Sequence, residues 1–238
     1  MLKEDKDLSY QMGTLFHGAL MELLPKEISD ELHTPRVHPY AQYIDRRQGR
    51  WYWVVTALTA ELSREIIYNT LVTGRGIELK KPDVKISFEE KKLKEITYET
   101  MTERMYTKTA GRYIQLQFIT PTAFKQQGNY LFYPDIRSMY ISLLNKYGAA
   151  QPSQNVRDED LLGELTSNTR IIRYDLRSVS FHIEGGKVPA FIGSVTLKIG
   201  GNNTLRSFAD FLFHFGEYSG IGIKSGLGMG AVRIIDGE

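Results

Sequence analysis

Five histidines and no cysteine frame the chemistry open to this 238-residue chain: His17, His33, His38, His182 and His214. An imidazole has an unperturbed pKa of about 6.5, so it can take or give a proton near neutrality. Without cysteine there is no disulfide scaffold, thiol nucleophile, thiolate zinc site or iron–sulfur cluster. The His33-x₄-His38 spacing hints at a metal, but no carboxylate or third histidine stands at a matching distance, so no metal is expected. His17 lies on a helical segment but off its apolar stripe, with Gly13 and Met21 as its helical neighbours. Gly13 and Gly18 lower crowding there and could let a ligand approach. His33 and His38 follow in a polar loop, and a helix face and the loop after it can converge on one pocket. The plain alternatives are an exposed helix residue for His17, a turn residue for His38 before Pro-Tyr, a surface residue for His182, and a core or helix-packing residue for His214.

The densest motif is GIGIKSGLGMG, Gly220 to Gly230, in which five of eleven residues are glycine. Glycine reaches positive φ and has no Cβ, so the segment could offer consecutive backbone N–H groups to an anion. The candidates are Gly220, Gly222, Lys224, Ser225, Gly226, Gly228 and Gly230. It lacks the Gly-Lys-Ser/Thr end of a Walker loop. GLGMGA fits a loose G-x-G-x-x-A, but it follows a helix near the end of the chain and opens no βαβ unit, so dinucleotide binding is rejected. The competing reading is a connection that lets the last helix and strand pack tightly.

These residues need elements to position them. Residues 9–24 carry Met12, Leu15, Phe16, Ala19, Leu20, Leu23 and Leu24 at helical spacing, with Ser9 as N-cap and Pro25 closing. A short helical turn over Lys26–Leu32 follows. Tyr40–Asp45 and Arg50–Thr59 read as a hairpin around RRQGR. Leu58–Leu71 turns helical, ended by Gly74 and Gly76, and KPDVKISF and LKEITYETM read as strands. The rhythm then repeats. Tyr113–Thr120 is a strand stopped by Pro121, and Asp135–Tyr147 is a helix with Pro134 near its first turn. Gly148–Asp160 is a loop. Ile171–Ile183 and Val188–Ile199 are long strands joined by EGGK, Leu205–Tyr218 is a helix, and Ala231–Ile235 is the final strand. Each half reads as βαββαβ, which makes an α+β protein of tandem ferredoxin-like domains, residues 1–110 and 111–238.

Composition bounds the rest. Thirty Lys+Arg against 28 Asp+Glu leave only +2, which alone argues against a nucleic-acid binder. The charge is uneven: residues 1–110 balance at 17 and 17, whereas Leu165–Ile235 holds eight basic residues and four acids. Arg173 and Arg177 sit on the long hairpin within that stretch. No apolar run is long enough to span a membrane, and MLKEDKDLSYQ has no signal-like apolar core, so a soluble cytoplasmic protein is expected.

The C-terminal GIGIKSGLGMG loop after a helix, FITPTAF at 118–124, and LFHGALMELL followed by ELHTPRVHPYAQYI together resemble the CRISPR repeat-cleaving endoribonucleases of the RAMP superfamily. The resemblance covers nearly the whole chain. One departure is at the start, where MLKEDKDL offers little of the family's first strand. The resemblance implies RNA cleavage with the substrate's own 2′-hydroxyl as nucleophile, leaving a 2′,3′-cyclic phosphate and a 5′-hydroxyl. It implies His33 as a catalytic residue, assigned as general base, and places His17 where members carry a second catalytic His or Tyr, assigned as general acid with the roles exchangeable. His38 and Arg36 are further candidates, and Arg46, Arg47 and Arg50 could serve the phosphate. It implies RNA contacts by the glycine loop, with Lys224 inside it; Arg173, Arg177 and His182 are weighed as further contacts. The expected partners are CRISPR repeat RNA and an effector complex receiving the product, with no cofactor, and the protein a monomer or homodimer. The alternatives are a non-cleaving RNA-binding subunit of an effector complex and a ferredoxin-like small-molecule regulatory module.

Overall fold

The computed structural model describes residues 1–3, 8–34, 37–80, 83–107, 110–152 and 158–235. Its second half is built on one four-stranded antiparallel sheet. Strands β6 (Tyr113–Thr122), β9 (Thr169–Ile183), β10 (Gly186–Ile199) and β11 (Val232–Ile235) lie in the order β11-β6-β10-β9. Counted within this half, that is the 4-1-3-2 order of a ferredoxin-like sheet. Helices α5 (Ile136–Ala150) and α7 (Asn203–Ser219) cover one face. Ile114, Leu116 and Phe118 alternate toward them because side chains on a strand have a period of two. Asp135 and Asn202 cap the two helices through bonds to Ser138 N and Leu205 N.

In the first half, β1 (Leu2–Lys3) pairs with β5 (Val84–Phe88), which pairs with β4 (Gly76–Leu79). A separate hairpin joins β2 (Tyr40–Arg47) to β3 (Arg50–Ala57). Strand β1 also lies against β3, so the same strand arrangement recurs with looser pairing. The family's first strand is therefore present before the first helix, but only two residues long. The first helix starts as a 3-10 turn at Tyr10–Met12, capped by Ser9, and continues as α1 (Gly13–Leu23). α2 (Lys26–Leu32) follows, with Pro25 between them. Phe16 packs edge-on against Trp53, with ring centroids 5.2 Å apart.

Several elements differ from expectation. LKEITYETM forms no strand; the chain stays irregular over 89–97 and then forms α4 (Tyr98–Thr107), whose Met101 packs into the second core against α7. The loose alternation there reflects one helix face rather than a sheet. Pro121 does not stop β6, because its carbonyl accepts Gly230 N–H while the strand runs on to Thr122. Pro134 lies before the N-cap Asp135 rather than in the first turn. α5 runs past the expected loop start to Ala150, and Glu159 already opens α6 (Glu159–Ser167), capped by Asp158. A small hairpin, β7 (Phe124–Gln126) and β8 (Asn129–Leu131), adds two strands beyond the expected set. Its turn is Gln127-Gly128, the dipeptide that also turns β2 into β3 at Gln48-Gly49, each with both φ values positive. The middle helix, Ala60–Leu62, passes into a π-helical segment over Ser63–Val72, and Gly76 belongs to β4 rather than to the helix end.

α1 meets the glycine loop backbone to backbone. A Cβ on Gly13 would stand 2.4 Å from the Leu227 carbonyl oxygen and 3.0 Å from Gly228 Cα, so glycine here serves packing rather than ligand approach. A Cβ added to Gly18 would meet nothing within 4 Å, and Gly18 lies exposed on the same helix. The two glycines predict opposite outcomes. Gly13→Ala should lower stability by about 1–3 kcal/mol through overpacking, whereas Gly18→Ala should raise it by about 0.4–1 kcal/mol. Thermal unfolding of the two variants checks this; a Gly13→Ala protein as stable as the parent would contradict the close contact.

Candidate active site

His17, one turn into α1, and His33, at the end of α2, face one another. Their ring centroids are 6.2 Å apart with planes inclined by 56°. His17 lies four residues after Gly13, on the face of α1 turned to the glycine loop. Its Nδ1 is 2.7 Å from the Tyr40 hydroxyl, and the two rings lie nearly parallel, 6.3 Å between centroids. Tyr40 is buried, 2% exposed, and opens β2. Burial pushes its hydroxyl pKa well up, so it keeps its proton. A buried hydroxyl hydrogen needs an acceptor, so Tyr40 donates to His17 Nδ1. In neutral His17 the ring proton then sits on Nε2.

His33 is set up the other way. It is the C-cap of α2, and its Nδ1–H donates to the Ser29 carbonyl at 2.6 Å, one turn back. The proton is thereby fixed on Nδ1, and Nε2 is left with its lone pair. The pair thus presents one N–H and one lone pair, the complement needed to move protons in opposite directions. His38 stands close enough to influence His17 electrostatically, and its Nε2–H donates to the Thr34 carbonyl at 2.7 Å. Its buried Nδ1 has no hydrogen-bond partner among the described residues. Arg36 lies outside the described residues.

Sequence reasoning missed Tyr40, Gln42 and Trp53. Gln42 is 1% exposed, and its amide nitrogen donates to the Gly13 carbonyl at 2.8 Å and the Gly226 carbonyl at 3.0 Å. Trp53 Nε1–H donates to its amide oxygen at 2.8 Å. Gly226 lies directly on Tyr40, where an added Cβ would stand 2.7 Å from the hydroxyl oxygen. The available signal was period two on β2: Tyr40 and Gln42 share one face of a strand that directly follows the histidine loop.

The glycine loop is largely turned inward. The amides of Ile221, Ile223, Leu227, Gly228, Met229 and Gly230 donate to backbone carbonyls, and that of Gly222 to the Ser142 hydroxyl. Gly220, Gly222, Gly228 and Gly230 have positive φ, and a Cβ on Gly222 or Gly230 would strike a backbone oxygen at 2.5 or 2.2 Å. Ser225 is buried, and its carbonyl accepts from Gly228 N–H. Lys224 holds a left-handed φ of 59°, a conformation that costs a residue with a side chain about 1–3 kcal/mol. Arg46 and Arg47 lie over the rings of Trp51 and Tyr52, at 5.4 and 5.6 Å, and Arg47 bonds Asp45, which also meets Arg233. Arg50 closes the same hairpin turn. Arg173, Arg177 and His182 are exposed on β9, away from the histidine pair in sequence and element. His214, on α7, is half-buried between Asp210 and Glu217 at 3.6 and 3.3 Å, on the helix face that packs near α4 and β11. Among the described residues no three His, Asp or Glu side chains cluster as a metal ligand set, and no helix is long and apolar enough to cross a membrane.

Burial, then the positive potential of His33 and His38, lowers the His17 pKa to about 4. Between pH 6.5 and 4 the unfolded chain therefore takes up the His17 proton before the folded one does. Stability is intact above pH 6.5 and falls as pH drops through that window, by about 3 kcal/mol at pH 4. Chemical denaturation of the parent and of His17→Asn across pH 7 to 4.5 should show a steeper fall in the parent. Parallel curves would mean that His17 titrates normally in the folded state.

Comparison with known proteins gives the chain its family. Residues 116–232 match the family model described as CRISPR-associated endoribonuclease Cas6. The chain is 34% identical over 223 residues to the CRISPR-associated endoribonuclease Cas6 of Streptococcus thermophilus, covering 94% of this chain and 91% of that protein. It is 34% identical over 226 residues to the Mycobacterium tuberculosis (strain H37Rv) protein of the same name, covering 94% and 71%. The fold superposes on a Cas6 product complex with a TM-score of 0.80 at 21% identity, over 99% of this chain and 97% of that one. A Cas6-related protein from Pyrococcus furiosus gives 0.66 at 14% identity, over 100% and 97%. With a histidine pair of complementary tautomers beside a glycine loop on a doubled ferredoxin-like frame, the chain belongs to the CRISPR-associated endoribonuclease Cas6 family.

Proposed function

We propose that this protein binds CRISPR repeat RNA and cuts precursor CRISPR RNA without a metal, using His33 as general base and His17 as general acid. The carrying observation is the pair of opposite tautomers 6.2 Å apart. His33 Nε2 takes the proton of the 2′-hydroxyl as that oxygen bonds to phosphorus. The bond from phosphorus to O5′ breaks, and O5′ takes a proton from the protonated His17. The products are a 2′,3′-cyclic phosphate and a 5′-hydroxyl. In the free protein His17 is neutral at pH 7, since burial lowers its pKa to about 4. The scissile phosphate brings the negative charge that favours its protonated form. Substrate binding thus arms the acid; once Nδ1 also carries a proton, the Tyr40 hydroxyl turns to accept it, and Nε2–H is the proton delivered. Lys224, half-buried at the loop's left-handed position, is assigned to a phosphate of the repeat. Gly220, Gly222, Ser225, Gly226, Gly228 and Gly230 shape that loop, while Arg173 and Arg177 add phosphate contacts on β9. His38 holds the loop that carries His33. The two halves, 1–110 and 111–238, act as one unit in a cytoplasmic protein that passes its product to an effector complex.

Incubation with repeat RNA in EDTA tests the reading. Cleavage to cyclic-phosphate ends is expected, with at least about 100-fold loss in His33→Ala and unchanged RNA affinity. Binding without cleavage would support a non-catalytic RNA-binding subunit instead, and no RNA affinity would reject both. Tyr40→Phe should slow the cleavage step about tenfold or more and move the acidic limb of its pH profile, without weakening RNA binding. An unshifted profile at full rate would remove Tyr40 from the positioning of His17.

A further inference from the structure

The face of the second sheet that the helices leave uncovered carries a pattern that the histidine site does not use. Register fixes its rows. Arg170, Lys198 and Tyr113 stand side by side across β9, β10 and β6. The next row is Arg173, Thr196, Gln115 and Ile235, and the next Asp175, Ser194, Gln117 and Arg233. Arg177 follows on β9. Higher on the same face, Val179, Phe181, Val188 and Ala190 are covered by Tyr10 and Met229. There Gln11 ties the start of the first helix to Ser180 and His182 of β9. The open rows therefore run directly out from beneath the elements that carry His17 and the glycine loop.

Charge and shape on this face are one-sided. Arg170, Arg173, Arg177, Lys198 and Arg233 are all exposed, with Asp175 among them and Asp45 of β2 paired to Arg233, so the unopposed charge lies toward β9 and β10. Tyr113 is 59% exposed, with Lys198 Nζ over its ring at 6.0 Å. Successive rows are about 7 Å apart, two residues of an extended strand. Cations in a track with an exposed aromatic ring are the makings of a single-strand site, where phosphates meet the charges and a base stacks on the ring, Lys198 moving from the ring to a phosphate. A duplex presents no open base face to such a ring. We infer that this sheet face holds an unpaired segment of the substrate RNA, with Tyr113 as the stacking platform and Arg170, Arg173, Arg177 and Lys198 as phosphate partners. The inference rests on the endoribonuclease reading and extends it to the form of RNA recognised away from the scissile bond.

The test measures equilibrium affinity by fluorescence anisotropy. The probes are a synthetic repeat RNA with a 2′-deoxy nucleotide at the cleavage position and versions of it shortened from either end. Tyr113→Ala should weaken the full repeat about tenfold while Tyr113→Phe keeps the parent affinity, because stacking needs the ring and not the hydroxyl. Arg170→Ala with Lys198→Ala should flatten the log–log salt dependence by about 1.4, two single-strand phosphate contacts. For an RNA lacking the segment that crosses the face, all variants should match the parent. Unchanged affinity of Tyr113→Ala for the full repeat, or an equal loss on every shortened RNA, overturns the inference. If the parent itself neither binds nor cuts the repeat, the endoribonuclease reading fails first. If the parent cuts normally and the face variants are silent, only the sheet-face site fails.

Discussion

The side chain of Gln42 joins the parts of the protein that build the site. It spans α1 and the glycine loop, donating to the carbonyls of Gly13 and Gly226, while Trp53 satisfies its oxygen. Every hydrogen-bonding group of this buried amide but its second acceptor site is engaged, which is the condition for a polar side chain to stabilise an interior. Gly13 sits one turn before His17 on α1, Tyr40 sits two residues before Gln42 on β2, and Gly226 rests on the Tyr40 ring. The bond from Tyr40 to His17 thus depends on the joint that Gln42 closes. Three elements that are far apart in the chain, at 13–17, 40–42 and 226–228, set one imidazole.

A second buried polar contact fixes the loop from its other end. Lys146 Nζ donates to the carbonyls of Ser219 and Gly220 at 3.0 Å, capping the C-terminus of α7 where the glycine segment leaves it. A cation suits the negative end of a helix dipole, yet burial lowers the Lys146 pKa to about 7. The two effects oppose one another, and the donor geometry serves the carbonyls in either protonation state. Burial lowers His17 as well, and on the proposed mechanism a substrate phosphate would reverse that shift. The same desolvation acts on a structural contact at Lys146 and, on the proposed reading, holds a proton donor in reserve at His17.

Much of the frame was legible because periodicity reports burial. The amphipathic stripes of α1, α5 and α7 and the alternation of β6 followed directly from which residues face the core. Where the signal failed, another physical rule was competing. LKEITYETM alternates loosely yet forms irregular chain and then α4, since only one of its helical faces meets the second core. α6 is short and rich in acids, so its Asp158 cap carried more information than its hydrophobicity. In the candidate site, the sequence singled out His17 and His33, which the fold brings together, but not the groups that set their tautomers. Those are Tyr40 and the Ser29 carbonyl, one a buried hydroxyl and the other a backbone group with no side-chain signature. Gly13 was misread for a related reason: sequence reveals that a Cβ is missing, not what occupies the space.

The glycine loop and the sheet face divide work that looked like one task in the sequence. A run of glycines suggests amides offered to an anion, but most amides here are already bonded, four within the loop and three to Pro121, Ala123 and Ser142. The loop's stiffness is its contribution, because it sets the Tyr40–His17 contact and holds Lys224 in a left-handed turn. Electrostatic affinity for a polyanion must then come from elsewhere, and a net charge of +2 cannot supply it uniformly. The register of β6, β9, β10 and β11 resolves this by placing five cations on one face, with Asp175 among them and Asp45 pairing Arg233 at its edge. Whole-chain charge averages over faces that never meet the same ligand, whereas strand alternation sorts charges by side. On the proposed reading, the weak global charge therefore confines strong attraction to one track that begins beside Tyr10 and Gln11 at the start of the first helix, favouring RNA laid along it over RNA bound anywhere else on the surface.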